Sequence, residues 1–164
     1  RRTLKMQKGV CHLTKFRIRA AMWYHDGDQE KNDNILNNKY TKDGELTVAN
    51  RHFGNTCTMD ELRLFFADFL KVKTSRQQLI EKLRRLSKAL KVLHDKFGVR
   101  FYSSSLLMVY DDTNPSKFDV RILDFEKTYV NVEKICSEFH ESLEEAEDGV
   151  AEAVENVAKF IESL

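Results

Sequence analysis

One segment of the chain, residues 101–128, combines serine hydroxyls with a carboxylate that directly follows a strand-like run. It reads FYSSSLLMVYDDTNPSKFDVRILDFEKT: three serines open an apolar run, a polar turn follows, and a second apolar run ends on Asp124. A buried carboxylate without a partner is costly, so a group at this position is usually exposed, paired or bound to a cation. Phosphoryl-transfer sites present a metal-binding aspartate in this way, but an aspartate after a strand is more often a turn or cap residue.

Length and composition describe a globular domain. The chain has 164 residues, of which 41% are hydrophobic and 32% charged, enough for one domain with a sizeable core. No stretch approaches the roughly 20 apolar residues of a membrane span, and RRTLKMQKGV at the start lacks the apolar core of a signal peptide. Three widely spaced cysteines without a CxxC pair favour a reduced protein. We therefore expect an intracellular location, in the cytoplasm, the nucleus or both.

The first half of the sequence predicts a strand and a helix separated by a polar segment. Residues 16–24 begin with alternating apolar and basic side chains and are rich in aromatic and branched residues, which predicts a strand. Residues 25–46 are polar and predict a long loop or insertion, with a hairpin as the alternative. Thr58 and Glu61 form a capping-box pattern at the start of a helix. The apolar residues at helical spacing behind it are Leu62, Phe65, Phe66, Phe69 and Leu70.

The second half predicts two further helices around an antiparallel hairpin. A helix from Ser75 to a C-terminal cap at Gly98 carries an apolar stripe. Two strands, near 104–110 and 118–125, are joined by a turn that holds the only proline, and a helix follows from about residue 147. The stripe of the first helix consists of Leu79, Leu83, Leu86, Leu90, Leu93 and Phe97, and that of the last of Val150, Val154, Val157, Phe160 and Ile161. The fold class is therefore α+β, with helices packed on an antiparallel hairpin.

Four motifs in order resemble the inositol polyphosphate kinase family. SSLL at 104–107 with YD at 110–111, followed by LDFEKT at 123–128, is similar to the family's SSLL motif and its later IDF-x-K/H-T segment. The other similar segments are FRI at 16–18, FG at 53–54, and EDG at 147–149 with the helix behind it. The resemblance implies a kinase-like fold with two lobes. Residues 1–164 would form a single domain, the large C-terminal lobe, and the small lobe would be absent.

The same resemblance implies an activity and a set of site residues. Family members transfer the γ-phosphoryl group of ATP to an inositol phosphate, here inositol hexakisphosphate or a lower inositol polyphosphate, and depend on Mg²⁺. By matching position, Asp124 would bind Mg²⁺ between the ATP phosphates, and Ser105 would lie beside the metal. Ser104 would contact the substrate phosphates; the alternative for both serines is a hydroxyl at a strand start that bonds to the backbone. Lys127 would neutralise phosphate charge or pair with Glu126 or an acidic residue of the tail. The residues that hold the rest of ATP stay unassigned.

The basic start of the chain supplies candidate substrate contacts. Residues 1–20 hold seven lysines and arginines and no acidic residue, which suits a polyanion or a solvated helix face. By the resemblance, Lys5 falls at a basic substrate contact and Lys8 lies one helical turn further on, whereas Met22 replaces a lysine that some members use. A nucleic acid as the partner is supported by charge alone, because no aromatic platform or known binding module accompanies these basic residues. We therefore expect no specific nucleic-acid partner.

Two departures from the family pattern keep a second function open. The PxxxDxKxG motif of the family does not occur, and Glu126 stands where a small residue is usual. The alternative is a non-catalytic polyphosphate-binding or interaction module derived from the family. We expect the 164-residue chain by itself to be inactive as a kinase. The resemblance does not decide the ring position that is phosphorylated, the oligomeric state or the role of residues 25–46.

Overall fold

The computed structural model describes residues 21–24, 40–43, 46–49, 51–70, 73–111, 114–139 and 148–164. They belong to two compact units, one of residues up to 71 together with Leu164 and one of residues 72–163. The organisation of residues 1–164 as one domain, the large lobe of a kinase, stays a prediction.

The first unit contains a three-stranded antiparallel sheet. Its strands are β1 (Ala21–Tyr24), β2 (Tyr40–Asp43) and β3 (Leu46–Ala49), in the order β1-β3-β2. The predicted strand at 16–24 is confirmed over Ala21–Tyr24, and its first five residues lie outside the described ranges. Strands β2 and β3 pair antiparallel from Asp43↔Leu46 outward. The hairpin alternative for the polar segment is therefore the correct one at its C-terminal end.

Two helices complete the described part of this unit, α1 (Arg51–Thr56) and α2 (Met59–Phe69). The predicted capping box is present: Glu61 N donates to Thr58 Oγ1 at 3.2 Å, and Thr58 N donates to Glu61 Oε2 at 2.7 Å. These bonds satisfy backbone N–H groups that have no partner inside the helix. All five apolar residues predicted for the stripe are buried, and the ring centroid of Phe65 lies 5.0–5.6 Å from those of three other phenylalanines.

The second unit holds the elements around the candidate site. In chain order they are α3 (Lys73–Phe97), β4 (Arg100–Phe101), β5 (Ser105–Asp111), β6 (Asn114–Leu123), a 3₁₀ helix (Phe125–Lys127), β7 (Thr128–Tyr129), α4 (Val132–Phe139) and α5 (Val150–Glu162). Helix α3 begins two residues before the predicted Ser75 and ends at Phe97, so Gly98 follows it at the predicted cap position. Gly98 has φ +58°, and a Cβ there would lie 3.3 Å from Val132 N, so both backbone conformation and space favour glycine.

Helices α3 and α5 pack against each other in opposite directions. The hydroxyl of Ser87 donates to the carbonyl of Ala151 at 2.9 Å, near the start of α5. One turn earlier in α3, Arg84 forms ion pairs with Glu155 at 3.8 Å and with Glu162 at 2.6 Å, near the end of α5. The buried side chains of α5 are Val154, Val157, Ala158 and Ile161, which confirms most of its predicted stripe.

The predicted stripe of α3 is correct in its first part and wrong in its last. Leu79, Leu83 and Leu90 are buried, but Leu93 is 37% exposed and Phe97 58% exposed. The reason is geometric: α5 begins beside Ser87, so the last two turns of α3 extend beyond it. The apolar residues of α3 therefore keep their helical spacing beyond the part of the helix that contacts α5, and spacing alone does not show where burial ends.

Strands β5 and β6 form the predicted antiparallel hairpin, with Ser105↔Leu123 and Tyr110↔Phe118 among the pairs. Strand β6 starts earlier than predicted, at Asn114, and ends at Leu123, so the predicted extension to residue 125 is wrong. Helix α3 lies against β6, where Lys82 Nζ donates to the Phe118 carbonyl at 3.0 Å and lies 4.3 Å from the centre of its ring. Helices on an antiparallel hairpin are thus confirmed, and the fold class is α+β.

Two further predictions from composition can be compared with the structure. None of the helices in the described ranges combines the length and apolar character needed to cross a bilayer. The thiol side chains of Cys57 and Cys136 are buried, and Cys11 lies outside the described residues.

Candidate active site

The candidate site lies where one antiparallel pairing is interrupted by a change of register. Strands β4 and β7 pair through Arg100↔Tyr129 and Phe101↔Thr128, and β5 and β6 resume the pairing at Ser105↔Leu123. Between them, the three residues 102–104 lie opposite the four residues 124–127. The 3₁₀ helix takes up the extra residue. Irregularities of this kind turn side chains away from a ladder and are common beside active sites.

Hydrogen bonds across the interruption hold its two sides together. The backbone N–H of Tyr102 donates to the carbonyl of Lys127 at 3.0 Å. The hydroxyl of Ser104 donates to the carbonyl of Asp124 at 3.3 Å. At the start of the 3₁₀ helix, the ring of Phe125 packs edge-on against that of Phe101, with centroids 6.0 Å apart. The two sides of the interruption are therefore joined by backbone, hydroxyl and ring contacts.

Asp124 is the first residue to leave strand β6, and its backbone is left-handed, with φ 66° and ψ 63°. The left-handed conformation is costly for most residues but is tolerated by aspartate and asparagine. The side chain is exposed, and its Oδ2 accepts a hydrogen bond from Ser105 Oγ at 2.9 Å. Of the three possibilities that the sequence left open, the structure shows exposure with a hydroxyl partner.

Lys127 and Glu126 occupy the 3₁₀ helix directly after Asp124, and both are exposed. A lysine here brings a positive charge to the same interruption as the aspartate, whereas Glu126 adds a second acidic group. Residues 124–127 therefore carry two acidic side chains and one basic side chain.

Asp148 connects helix α5 to the strand that leads into the serines, a role that the sequence analysis missed. Its Oδ1 accepts from Val150 N at 3.0 Å, and its Oδ2 accepts from Phe101 N. Phe101 lies in β4, four residues before Ser105. The Asp-Gly pair just before an apolar helical stripe was a signal for a helix start, but nothing local pointed to β4.

The structure brings three of the predicted site residues into contact, Ser104, Ser105 and Asp124, and it places Lys127 at the same interruption. Lys5 and Lys8 lie outside the described ranges, so their assignment as substrate contacts stays a prediction. The roles of Asp124 and Lys127 in catalysis, of Asp124 and Ser105 toward a metal, and of Ser104 toward substrate also stay predictions.

The donor atoms at the interruption suit a hard cation. An exposed carboxylate and a neighbouring hydroxyl are oxygen ligands, which Mg²⁺ prefers, and Mg²⁺ is usually bound by one or two carboxylates together with phosphate oxygens and water. Within the described ranges, no three His, Cys, Asp or Glu side chains are grouped so that they could hold a metal ion. A cation at Asp124 would therefore take its remaining ligands from the phosphate oxygens of a substrate and from water.

Comparisons with known proteins agree with the motifs. The sequence model of the family described as inositol polyphosphate kinase matches residues 1–162. Mouse inositol hexakisphosphate kinase 3 is 30% identical over 106 residues, which cover 54% of this chain and 27% of that protein. The crystal structure of inositol phosphate multikinase Ipk2 from S. cerevisiae, in complex with ADP and Mn²⁺, is similar with a TM-score of 0.61 and 17% identity. That match covers 96% of this chain and 66% of the multikinase chain.

The chain belongs to the inositol polyphosphate kinase family, since the family model matches nearly its whole length. The match to the multikinase structure shows that its fold is the α+β kinase-like fold. The chain spans about a quarter of the curated relative and about two thirds of the solved structure.

Proposed function

We propose that the complete protein containing this chain transfers the γ-phosphoryl group of ATP to an inositol phosphate and depends on Mg²⁺. The observation that supports this proposal is the Ser105–Asp124 hydrogen bond at an exposed interruption of the pairing, in a chain of the inositol polyphosphate kinase family. The multikinase with a similar fold was crystallised with ADP and Mn²⁺, which supports a nucleotide and a divalent cation as ligands here.

The residues of the interruption would share the work of binding and charge neutralisation. Asp124 would hold the cation, which supplies charge stabilisation to the phosphates when bound. Lys127, exposed on the next turn, would neutralise negative charge on the phosphoryl group, and Ser104 would contact substrate phosphates. Phosphoryl transfer depends mainly on positioning and electrostatic stabilisation, so a carboxylate, a lysine and hydroxyls are the expected side chains.

The substrate would be inositol hexakisphosphate or a lower inositol polyphosphate. The similarity to an inositol hexakisphosphate kinase and to a multikinase supports this range. Lys5 and Lys8 would bind its phosphates through charge-assisted hydrogen bonds. Replacing both by alanine should weaken inositol phosphate binding and leave ATP affinity nearly unchanged, as measured by isothermal titration calorimetry. Equal losses for both ligands would mean that the lysines act only through the general electrostatic field.

The test of the proposal is a product assay on the complete protein. The protein is incubated with ATP, Mg²⁺ and a panel of inositol phosphates, and new phosphorylated products are separated and identified. We expect one or a few inositol phosphates to gain a phosphoryl group. Polyphosphate binding without any product would contradict the kinase proposal and favour the non-catalytic binding module, for which Glu126 beside Asp124 is the motivating feature.

The same assay on the 164-residue chain alone should give no measurable turnover. This expectation follows from the missing PxxxDxKxG motif, because a cleft that lacks half of its groups loses most of the positioning on which transfer depends. Turnover at an enzyme-like rate would contradict this account of the mechanism.

A further inference from the structure

The hydrogen bonds that Asp124 receives from the two serines carry an inference about how its carboxylate is oriented. We propose that Ser105, supported by Ser104, is a positioning residue: it fixes the Asp124 carboxylate through its hydrogen bond and acts on a cation only through that carboxylate. This inference rests on the proposed function, since it concerns the same site. It differs from the expectation above that Ser105 lies beside the metal as a ligand.

The backbone conformation of Asp124 is supported by contacts from its surroundings. Aspartate tolerates a left-handed backbone better than most residues, but the conformation still costs free energy and persists where neighbouring groups hold it. Here Ser104 binds the carbonyl oxygen and Ser105 binds the carboxylate, at 3.3 Å and 2.9 Å. The main chain and the side chain of Asp124 are thus each held by a hydroxyl from the opposite side of the interruption.

The hydrogen bond runs from the Ser105 hydroxyl to the Asp124 carboxylate. A serine hydroxyl has one proton, and in this structure the Ser105 hydroxyl lies where it donates that proton to Oδ2. A carboxylate can accept a hydrogen bond on one oxygen and still bind a cation, and carboxylates at metal sites are usually oriented by such outer partners. The Ser105–Asp124 pair has the arrangement of a ligand and its orienting partner.

The strand that carries Ser105 fixes the position of its hydroxyl. Ser105 is the first residue of β5 and pairs with Leu123, the residue just before Asp124. The donor is therefore fixed by the hairpin ladder, whereas Asp124 has left it. A hydroxyl on a regular strand can hold the carboxylate of Asp124, which follows the end of β6, in the defined position that a binding site requires.

The experiment measures the affinity of the complete protein for Mn²⁺–ADP by titration calorimetry, in parallel with kcat and KM. Ser105→Thr keeps the hydroxyl. Valine has nearly the same shape as threonine but no hydroxyl, so Ser105→Val and Ser105→Thr form a matched pair. We expect Ser105→Val to lower Mn²⁺–ADP affinity and kcat about 10- to 100-fold with little change in KM for the inositol phosphate, and Ser105→Thr to restore both. Ser137→Ala, an exposed serine in α4, is the control that should change neither.

The decisive step is a double-mutant cycle with Asp124→Asn. If Ser105 acts through the carboxylate, Ser105→Ala in the Asp124→Asn background should cost no further Mn²⁺–ADP affinity. An equal loss in both backgrounds would show that Ser105 binds the cation directly and would overturn the proposal, as would unchanged affinity in Ser105→Val. A wild-type protein that binds no Mn²⁺–ADP would overturn the proposed function itself, which distinguishes the two failures.

Discussion

The α3–α5 helix pair and the interruption that holds Asp124 are built by different means within the same unit. The helix pair buries apolar side chains, with Leu83 fully buried and Ile161 2% exposed, and its ion pairs are partly exposed. The interruption buries little: the residues from 123 to 127 are all exposed and are held by individual hydrogen bonds. Burial stabilises the helix pair, whereas the interruption depends on geometry.

This difference separates stability from function. Burying a side chain of the size of leucine stabilises a fold by about 1.5–3 kcal/mol, whereas a single hydrogen bond contributes only about 0.5–1.5 kcal/mol. The left-handed Asp124 and its two hydroxyl contacts thus add little to the free energy of folding, and their value lies in where they place a carboxylate. Substitutions in the two regions should therefore have distinct signatures.

The largest effect is expected for Asp124→Asn in the complete protein. Loss of a cation ligand should lower the rate of phosphoryl transfer by about a thousandfold or more. The melting temperature should stay nearly unchanged, because asparagine also tolerates the left-handed conformation. Asp119→Asn, the same change elsewhere on the hairpin, is the control and should retain normal turnover. Normal turnover in well-folded Asp124→Asn would remove the basis for the cation assignment.

Leu83→Ala should show the opposite signature. Leu83 is fully buried in α3, so truncation leaves a cavity and should lower the free energy of unfolding by about 2–5 kcal/mol in urea denaturation. The rate per folded molecule should not change. The matched control is Leu64→Ala, which truncates a leucine that is 48% exposed and should cost much less. A lower rate of phosphoryl transfer in fully folded Leu83→Ala would mean that the helix pair affects the site as well as stability.

Asp148→Ala tests the connection between the two regions. The change leaves the N–H groups of Phe101 and Val150 without their carboxylate partner, which should destabilise the fold by about 1–3 kcal/mol. Because β4 leads into residues 102–105, we also expect a moderate loss of kcat. Asp95→Ala, a change at an exposed aspartate that contacts His94 and Lys91, should affect the melting temperature less and kcat not at all. An unchanged kcat in Asp148→Ala would show that α5 supports stability alone.

The smallest effect is expected for the pH dependence of Asp119→Asn. The Val120 N–H, followed by the Arg121 guanidinium, lowers the pKa of Asp119 below its usual value. A carboxyl group whose pKa is lowered on folding stabilises the fold above its unfolded pKa, about 3.9, and loses this contribution as the pH falls through the folded pKa. Asp119→Asn should therefore lower the melting temperature slightly at neutral pH, and the difference should disappear in acid. A difference that is constant across this range would contradict the charge-based explanation.

Much of the helical architecture could be predicted because its signals are local. Three features depend on residues within a few positions of each other: the Thr58–Glu61 capping box, the cap of α3 at Gly98 and the buried face of α2. The end of burial along α3 could not be predicted, since it depends on where α5 begins beside Ser87. Two-residue strands such as β4 and β7 are too short for alternation to reveal.

The candidate site divides along the same line. The sequence by itself determined which residues are the candidates, because the SSLL and LDF motifs carry the resemblance to the family and point to Asp124, Ser104 and Ser105. Only the tertiary structure decided how they meet. The change of register across the interruption, the left-handed backbone of Asp124 and its bond to Ser105, nineteen residues away, all depend on the alignment of two strands. Helix signals repeat within a turn, whereas strand register is set by contacts between distant segments, so residue types alone do not determine it.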